Sequence, residues 1–250
     1  MGSKENPYDF GPGESASGGQ SNLGFEVGKV DGMQCLQEGW ALIQDKYWLF
    51  LGVTFVGLLI GGAIPIILQG AMICGIYLCL FKRMRGEEVS FDDLFKGFDY
   101  FKDSLIAMLL MMCIGMALAF VMLIGYGVII AASFAGGEQV GPFVFVLGFG
   151  VLFIVYIALA LAVQAATMFV FPLIVDRGLA PMDALKTSWA AGKANLGGLI
   201  MFFFMSFVLS LLGALACGIG VYFVLPILFA GNAVVYRRVF PGQAPMKAAV

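Results

Sequence analysis

The longest stretch of this chain without a charged side chain is residues 194–236, which read ANLGGLIMFFFMSFVLSLLGALACGIGVYFVLPILFAGNAVVY. The stretch has 43 residues, and one helix needs about 20 apolar residues to cross the roughly 30 Å hydrocarbon core of a bilayer. We therefore expect two membrane helices here. Residues 217–220 are the expected turn, because their glycines tolerate the backbone angles that a tight turn requires.

Three other stretches lack Asp, Glu, Lys and Arg, namely residues 47–81, 104–137 and 139–175. Gly61, Gly62 and Pro65 interrupt the first, so we expect one helix to end there and another to begin with Pro65 in its first turn. A loop over residues 135–142 separates the other two stretches. The predicted membrane helices are residues 39–60, 64–84, 103–132, 143–175, 195–216 and 220–239. The alternative is five spans, with a single one in the first stretch.

The composition agrees with a membrane protein. Hydrophobic residues make up 61% of the 250 residues and charged residues 12%, and the mean hydropathy is +0.96. Soluble domains usually have about 45–50% apolar and about 25% charged residues. The net charge of −2 offers no basic excess that would point to a nucleic acid or to anionic lipid as a partner. We predict an all-α fold, a polytopic membrane helical bundle. Its expected partner is the lipid bilayer.

The charges divide unequally between the two sides of a six-helix topology. The side that bears both termini receives every Lys and Arg, and the other side receives none. Because cytoplasmic loops carry the Lys and Arg excess, we expect both termini in the cytoplasm of a multi-pass plasma membrane protein. The basic residues are Lys4, Lys29, Lys46, Lys82, Arg83, Arg85, Lys96, Lys102, Arg177, Lys186, Lys193, Arg237, Arg238 and Lys247.

The ends of the chain differ in composition from its middle. Residues 1–30 are rich in Gly, Ser, Asn and Glu and poor in apolar groups, which is typical of a segment that cannot bury enough surface to order itself. We expect a disordered cytoplasmic tail over residues 1–30, a six-helix membrane domain over 31–240 and a short cytoplasmic tail over 241–250. The first segment lacks the basic region and apolar core of a cleavable signal peptide.

Three segments with similar spacing indicate an internal repeat. Asp31, Ser90 and Ala180 occupy predicted helix N-caps, and Pro181 supports the third at the first helical position. An apolar residue follows five positions after each cap, and aromatic residues follow at eight or nine. Each segment leads into an odd-numbered membrane helix. The related residues are Gln34, Asp93 and Asp183, then Leu36, Phe95 and Leu185, then Trp40, Phe98 and Trp189.

The middle copy has the spacing of an amphipathic helix. Phe91, Leu94, Phe95 and Phe98 recur every three or four residues, while charged residues occupy the other face. Such a helix is expected to lie along the membrane surface or to pack beneath the bundle. The predicted unit is therefore an amphipathic interfacial helix followed by a membrane hairpin, repeated three times. Independent segments under similar constraints are the alternative.

Polar side chains within the predicted membrane helices are few. One amide lies in each even-numbered helix: Gln69, Gln164 and Asn232. If they converge, they line a small polar site. The alternative is that they serve as interhelical hydrogen-bonding groups, worth about 1 kcal/mol each.

Several kinds of catalytic and metal site are excluded by composition. The chain contains no His, which removes a Ser-His-Asp triad and paired-His zinc motifs. The five Cys residues form no C-x-x-C pair and no phosphate-binding loop is present. The acids of residues 82–103 are interpreted as a solvated helix face with capping and pairing roles. We predict no catalytic, cofactor-binding or metal-ligating residue, and hence a protein that is not an enzyme.

Two loop motifs carry a family resemblance: RMRGEEVSFDDLFKGF at residues 83–98 and FPLIVDRGLAPMDALKTSW at residues 171–189. Over residues 33–240 the chain resembles an uncharacterised group of prokaryotic six-helix integral membrane proteins. That group is similar to the membrane domain found with some glycerophosphodiester phosphodiesterases. The resemblance implies a bacterial or archaeal plasma membrane protein and brings no catalytic residues, because the phosphodiesterase chemistry belongs to a separate soluble domain.

Two functions remain open from the sequence. The first is a scaffold, accessory subunit or envelope-homeostasis factor that meets a protein partner on its cytoplasmic face through the interfacial helices. The alternative is a small-molecule or lipid carrier with a polar site between the hairpins.

Overall fold

The computed structural model describes residues 24–28, 30–215 and 220–241. All regular secondary structure in this part of the chain is helical, so the expected all-α class is confirmed there. Two elements are 3-10 helices, η1 and η2, and the rest are α-helices. In chain order they are α1 (Gly32–Ile43), η1 (Gln44–Lys46), α2 (Tyr47–Ala63), α3 (Gln69–Met84), η2 (Phe91–Tyr100), α4 (Phe101–Ala135), α5 (Gly137–Thr167), α6 (Val170–Arg177), α7 (Pro181–Ala194), α8 (Leu196–Leu215) and α9 (Gly220–Val239).

Five segments of the described chain are long and apolar enough to cross a membrane: Gly32–Ala63, Phe91–Ala135, Gly137–Arg177, Leu196–Leu215 and Gly220–Val239. The second predicted membrane helix corresponds to α3, which has only 16 residues and ends in Lys82 and Arg83. Most of α3 is buried by its neighbours. Because α3 is shorter than a simple span, six spans remain a prediction.

The first apolar stretch contains a turn, but the expected position of Pro65 is wrong. Helix α2 ends at Ala63 and α3 begins only at Gln69. Pro65 lies in the turn between them, where Ile66 has a φ of 73°. A left-handed residue cannot continue an α-helix, so α3 begins after it and not at Pro65.

The described residues form two compact units: the first takes those up to Met108 and those from Ala165 onwards, and the second is Leu109–Gln164. The second unit is a hairpin of the long helices α4 and α5. Its turn is only Gly136 and Gly137, the latter with a φ of 66°. Residues 138–142, predicted as loop, are helical. Because Gly141 of α5 has no side chain, it comes close to the Ser133 carbonyl of α4, and the two helices are in contact directly beside the turn.

Helix four of the prediction, residues 143–175, is interrupted in the structure. Helix α5 ends at Thr167 and α6 begins at Val170. Pro172 follows the break in the first turn of α6, where its missing amide is tolerated. The backbone amide of Phe169 donates to Ser188 Oγ at 3.2 Å, so α7 compensates for a hydrogen bond that the break frees.

The three predicted helix caps are confirmed. Asp31 accepts hydrogen bonds from the amides of Met33 and Gln34 at the start of α1. Ser90 and Asp93 form a reciprocal capping box at the start of η2. Helix α7 has no side-chain cap at Ala180 and begins with Pro181, as expected. These contacts are local in sequence, which is why spacing alone locates them.

Each of the short helices α1, η2 and α7 crosses another helix of the first unit. Small residues make the crossings close. A Cβ on Gly39 of α1 would lie 2.5 Å from the Gly231 nitrogen of α9. A Cβ on Gly75 of α3 would overlap the Leu94 carbonyl oxygen of η2, and one on Gly192 of α7 would overlap the Ala165 carbonyl oxygen of α5.

Two of the crossings lie well inside the crossed helices. Gly231 and Gly75 precede the last residues of α9 and α3 by eight and nine positions. At 1.5 Å per residue that is about 12–14 Å. Helices α1 and η2 therefore pack across the bodies of α9 and α3 and not only at their ends.

Residues 24–28 pack against the first unit. Asn195 accepts a hydrogen bond from the Gly28 amide at 2.8 Å and donates to the Glu26 carbonyl at 3.0 Å. The Glu26 amide donates to the Val239 carbonyl at 2.7 Å. Residues 1–23 and 29 of the predicted N-terminal tail, residues 217–219 of the predicted turn and residues 242–250 of the predicted C-terminal tail lie outside the described residues.

Candidate functional site: the charged end of the first unit

A buried ion pair joins the last turns of α6 and α9. Asp176 Oδ1 accepts from Arg237 Nη2 at 2.7 Å, and Oδ2 accepts from Arg237 Nη1 at 3.1 Å. The Tyr236 hydroxyl also donates to Oδ2, at 2.8 Å. The Asp176 side chain is 2% exposed and that of Arg237 is 8% exposed. A bidentate pair of this kind is strong and geometrically specific.

Aromatic rings enclose the pair. The Arg237 guanidinium lies over the Phe81 ring of α3, 4.8 Å from its centroid. Tyr236 contacts the rings of Phe81, Phe169 and Phe240, with centroids 5.1–6.3 Å apart. The rings exclude water and the carboxylate is already hydrogen-bonded by three donors. Asp176 is therefore a link between helices and not a free acid or base.

A second buried carboxylate, Asp93, connects α3 to η2. It lies 2.8 Å from Lys82 Nζ and 2.7 Å from Lys96 Nζ. It also accepts from the Ser90 amide at 2.9 Å. The Asp93 side chain is 2% exposed. The sequence indicated Asp93 as a cap partner, and the structure adds the two lysines.

Helix α1 is held to the same end by two further ion pairs. Arg238 Nη2 lies 2.6 Å from Glu38 Oε1. Arg83 pairs with Asp45, and its Nε donates to the Leu42 carbonyl at 3.1 Å. We refer to the ion-paired residues as the charged end: Glu38, Asp45, Lys82, Arg83, Asp93, Lys96, Asp176, Arg237 and Arg238.

The loop after α3 carries one more ion pair. Arg85 donates to the carboxylate of Glu87. The pKa of Glu87 lies below its usual range, because this hydrogen bond stabilises the carboxylate more than partial desolvation destabilises it. The pair is exposed and adds little stability.

The outer faces of the three short helices expose apolar and aromatic groups. In η2, Phe91, Phe95 and Phe98 are 37–42% exposed, while Leu94 and Gly97 are buried against α3. The predicted apolar side of this segment is thus divided: its small and aliphatic members pack inwards and its rings face outwards. Trp40 of α1 and Trp189 of α7 are exposed to a similar degree.

The three candidate amides lie at separate places. Gln69 is the half-buried first residue of α3, beside Gly61. Gln164 is exposed on α5 and is the last residue of the second unit. Asn232 is half-buried in α9, and its Oδ1 is buried without a hydrogen-bond partner. Their convergence on a polar site stays a prediction.

Sequence reasoning missed the pairing of Asp176 with Arg237, because Arg237 was counted only among the basic residues of the cytoplasmic side. The available signal was their position. Each directly follows an uninterrupted apolar segment, at Val175 and at Tyr236, and they bear opposite charges. Asn195 was also missed as the residue that binds the segment before α1.

The second unit contains an apolar cleft of about 290 Å³ between α4 and α5. Its lining bears no charged side chain, and Tyr126 supplies its only hydroxyl. Nothing in this lining can fix a polar solute. The lining residues are Ala119, Met122, Leu123, Tyr126, Phe149, Leu152 and Phe153.

Comparison with family models, with curated proteins and with solved structures finds no match to this chain. Within residues 24–28, 30–215 and 220–241, no group of three or more Cys, Asp or Glu side chains is arranged to hold a metal ion. The interpretation of the charged end therefore depends on its own geometry.

Proposed function

We propose that this is an integral membrane protein without a catalytic site that acts by association, as a scaffold, accessory subunit or envelope-homeostasis factor. Its working surface is the set of outer faces on α1, η2 and α7. The resemblance of residues 33–240 to the membrane domain found with some glycerophosphodiester phosphodiesterases supports a bacterial or archaeal plasma membrane and supplies no catalytic role.

The exposed aromatic face of η2 is the observation that carries this proposal. The buried charges nearby are satisfied within the protein, whereas Phe91, Phe95 and Phe98 point outwards. Aromatic residues are enriched in the cores of protein interfaces. A face of three rings on a firmly anchored helix is suited to binding a partner.

The charge of this face favours a protein partner over the lipid surface. Helix η2 contains Asp92, Asp93 and Asp99 but only one basic residue, Lys96. Asp92 and Asp99 are exposed beside the rings. Anionic leaflets attract basic segments and repel acidic ones. The fitting partner is a protein segment that carries Lys or Arg together with apolar side chains.

The recurrence of the crossings supports the proposed threefold repeat. Helices α1, η2 and α7 each begin at a matched cap and each cross the helix that ends the preceding hairpin, with α1 crossing α9. In a cyclic repeat the first copy must meet the last, as α1 meets α9. We propose three units, each an interfacial helix followed by a membrane hairpin.

The orientation follows from the charge distribution. Glu138 is the only charged residue in the second unit, and every Lys and Arg among the described residues belongs to the first unit. By the positive-inside rule this end faces the cytoplasm, and both termini lie there. This topology requires α3 to cross the membrane in addition to the five candidate spans.

The carrier alternative has one observation in its favour. The Oδ1 atom of Asn232 is buried without a hydrogen-bond partner, which is unfavourable in an apolar setting. A polar solute that donates a hydrogen bond would satisfy it. The aromatic face of η2 has no part in that function, so the two proposals are separable.

Photocrosslinking tests the association proposal. With benzoylphenylalanine at position 95 of the full chain in cells, we expect a discrete protein adduct. The double variant Asp92→Lys and Asp99→Lys should reduce its yield at least tenfold, because the charge that selects the partner is reversed. The adduct is detected by immunoblotting and identified by mass spectrometry.

Two controls sharpen this experiment. The same probe at position 149, an exposed Phe of the apolar second unit, should give no discrete protein adduct. The triple variant Gln69→Leu, Gln164→Leu and Asn232→Leu should retain the position-95 adduct if it folds and inserts. Equal labelling at positions 95 and 149, or a yield unaffected by charge reversal, would contradict the proposal.

A further inference from the structure

Helix α7 differs in charge from the other two short helices. It contains Lys186, Lys193 and one acid, Asp183, whereas η2 has three acids and one base and α1 has no basic residue. We propose that the outer face of α7 is a binding site for the headgroup phosphate of anionic phospholipids in the leaflet at the charged end. This inference assigns the outer face of α7 to lipid and leaves the protein partner to α1 and η2, so it does not depend on that partner.

The lysines of α7 share one face with a tryptophan. Lys186, Trp189 and Lys193 follow at spacings of three and four, which places them on one side of a helix. The Lys193 ammonium lies 4.9 Å from the centre of the Trp189 ring. Met182 extends the same side by one more turn, and all four residues are exposed.

The opposite side of α7 fixes the direction of this face. Ala184, Ser188 and Gly192 are buried; Ser188 meets the break between α5 and α6, and Gly192 meets the last turn of α5. Because these inner residues are small, the helix lies tight against its support. Rotation about its axis would drive Trp189 or a lysine into that contact, so the cationic side must remain outermost.

The exposed side chains of α7 match two parts of a phospholipid, the boundary of its acyl chains and its phosphate. Tryptophan is favoured at headgroup depth, where its ring meets the acyl boundary and its N–H meets water. Lysine extends its apolar stem along the ring and presents its charge to phosphate. Asp183 lies 4.0 Å from Lys186 in an exposed position and leaves Lys193 to act with the aromatic ring.

Lipid titration monitored by native mass spectrometry tests the proposal on the purified full chain in an uncharged detergent. Phosphatidylglycerol should bind more tightly than phosphatidylcholine. The double variant Lys186→Gln and Lys193→Gln should weaken phosphatidylglycerol binding about 25-fold, since each lysine near an anionic headgroup contributes about fivefold.

The double variant Lys46→Gln and Lys102→Gln is the matched control, because it removes the same charge at the starts of α2 and α4. It should leave phosphatidylglycerol affinity within about twofold of the parent. Equal loss in both variants, or equal affinity for the two lipids, would overturn the proposal. Displacement of the lipid by inorganic phosphate at the same concentration would show a free-phosphate site instead, and would also overturn it.

Discussion

Asp176→Ala is expected to lower the free energy of unfolding by about 3–5 kcal/mol. The substitution leaves the Arg237 guanidinium enclosed by aromatic rings without its carboxylate, and it removes the acceptor of the Tyr236 hydroxyl. An unpaired buried charge is among the most destabilising changes in a protein interior. Denaturant unfolding in mixed micelles, followed by tryptophan fluorescence, measures the change.

A double variant separates pairing from packing. Asp176→Leu combined with Arg237→Met removes both charges, so most of the lost stability should return. The exposed pair of Asp183 and Lys186 supplies the control, since Asp183→Ala should change the free energy by at most about 1 kcal/mol. A loss below about 1 kcal/mol for Asp176→Ala would refute the proposed role of this pair.

Gly75→Ala is expected to have the second large effect, a loss of about 3 kcal/mol or more. The added Cβ would overlap the Leu94 carbonyl oxygen, so η2 must move away from α3. Backbone atoms cannot yield as a flexible side chain can. Gly39→Ala and Gly192→Ala should behave alike, because their Cβ atoms would also meet backbone atoms of the crossing helix.

Gly127→Ala is the matched control for these three. It lies within α4, and its Cβ would meet nothing within 4 Å. The greater helix propensity of alanine should make this change neutral or stabilising by up to about 1 kcal/mol. Thermal midpoints of the four variants in detergent provide the comparison. If Gly75→Ala and Gly127→Ala unfold at the same temperature, the close crossing of α3 and η2 is wrong.

The features that sequence predicted well are those that depend on neighbouring residues. The caps at Asp31, Ser90 and Pro181 follow from spacings of a few residues, and the apolar stretches follow from composition. The break before Pro172 was not predicted, because helix four was expected to run continuously over residues 143–175. The start of α3 at Gln69 was harder to predict, because nothing in the Ile66 side chain indicates that its backbone is left-handed.

The charged end could not be predicted from the sequence without the folded structure. Asp176 and Arg237 are separated by 61 positions, and both stand at helix ends where a solvated charge is the common outcome. Only the packing of Phe81 and Tyr236 shows that they are buried. The division of η2 into a buried side at Leu94 and an exposed aromatic side likewise depends on which face meets α3.

Reporter fusions test whether six crossings place the charged end in the cytoplasm. Alkaline phosphatase, which is active only outside the cytoplasm, would be fused after Arg85, Glu138 or Arg177 in a bacterial host. We expect activity at Glu138 and none at Arg85 or Arg177. Activity at Arg85 with none at Glu138 would mean that α3 does not cross, and would contradict both the six-span topology and the cytoplasmic placement of η2.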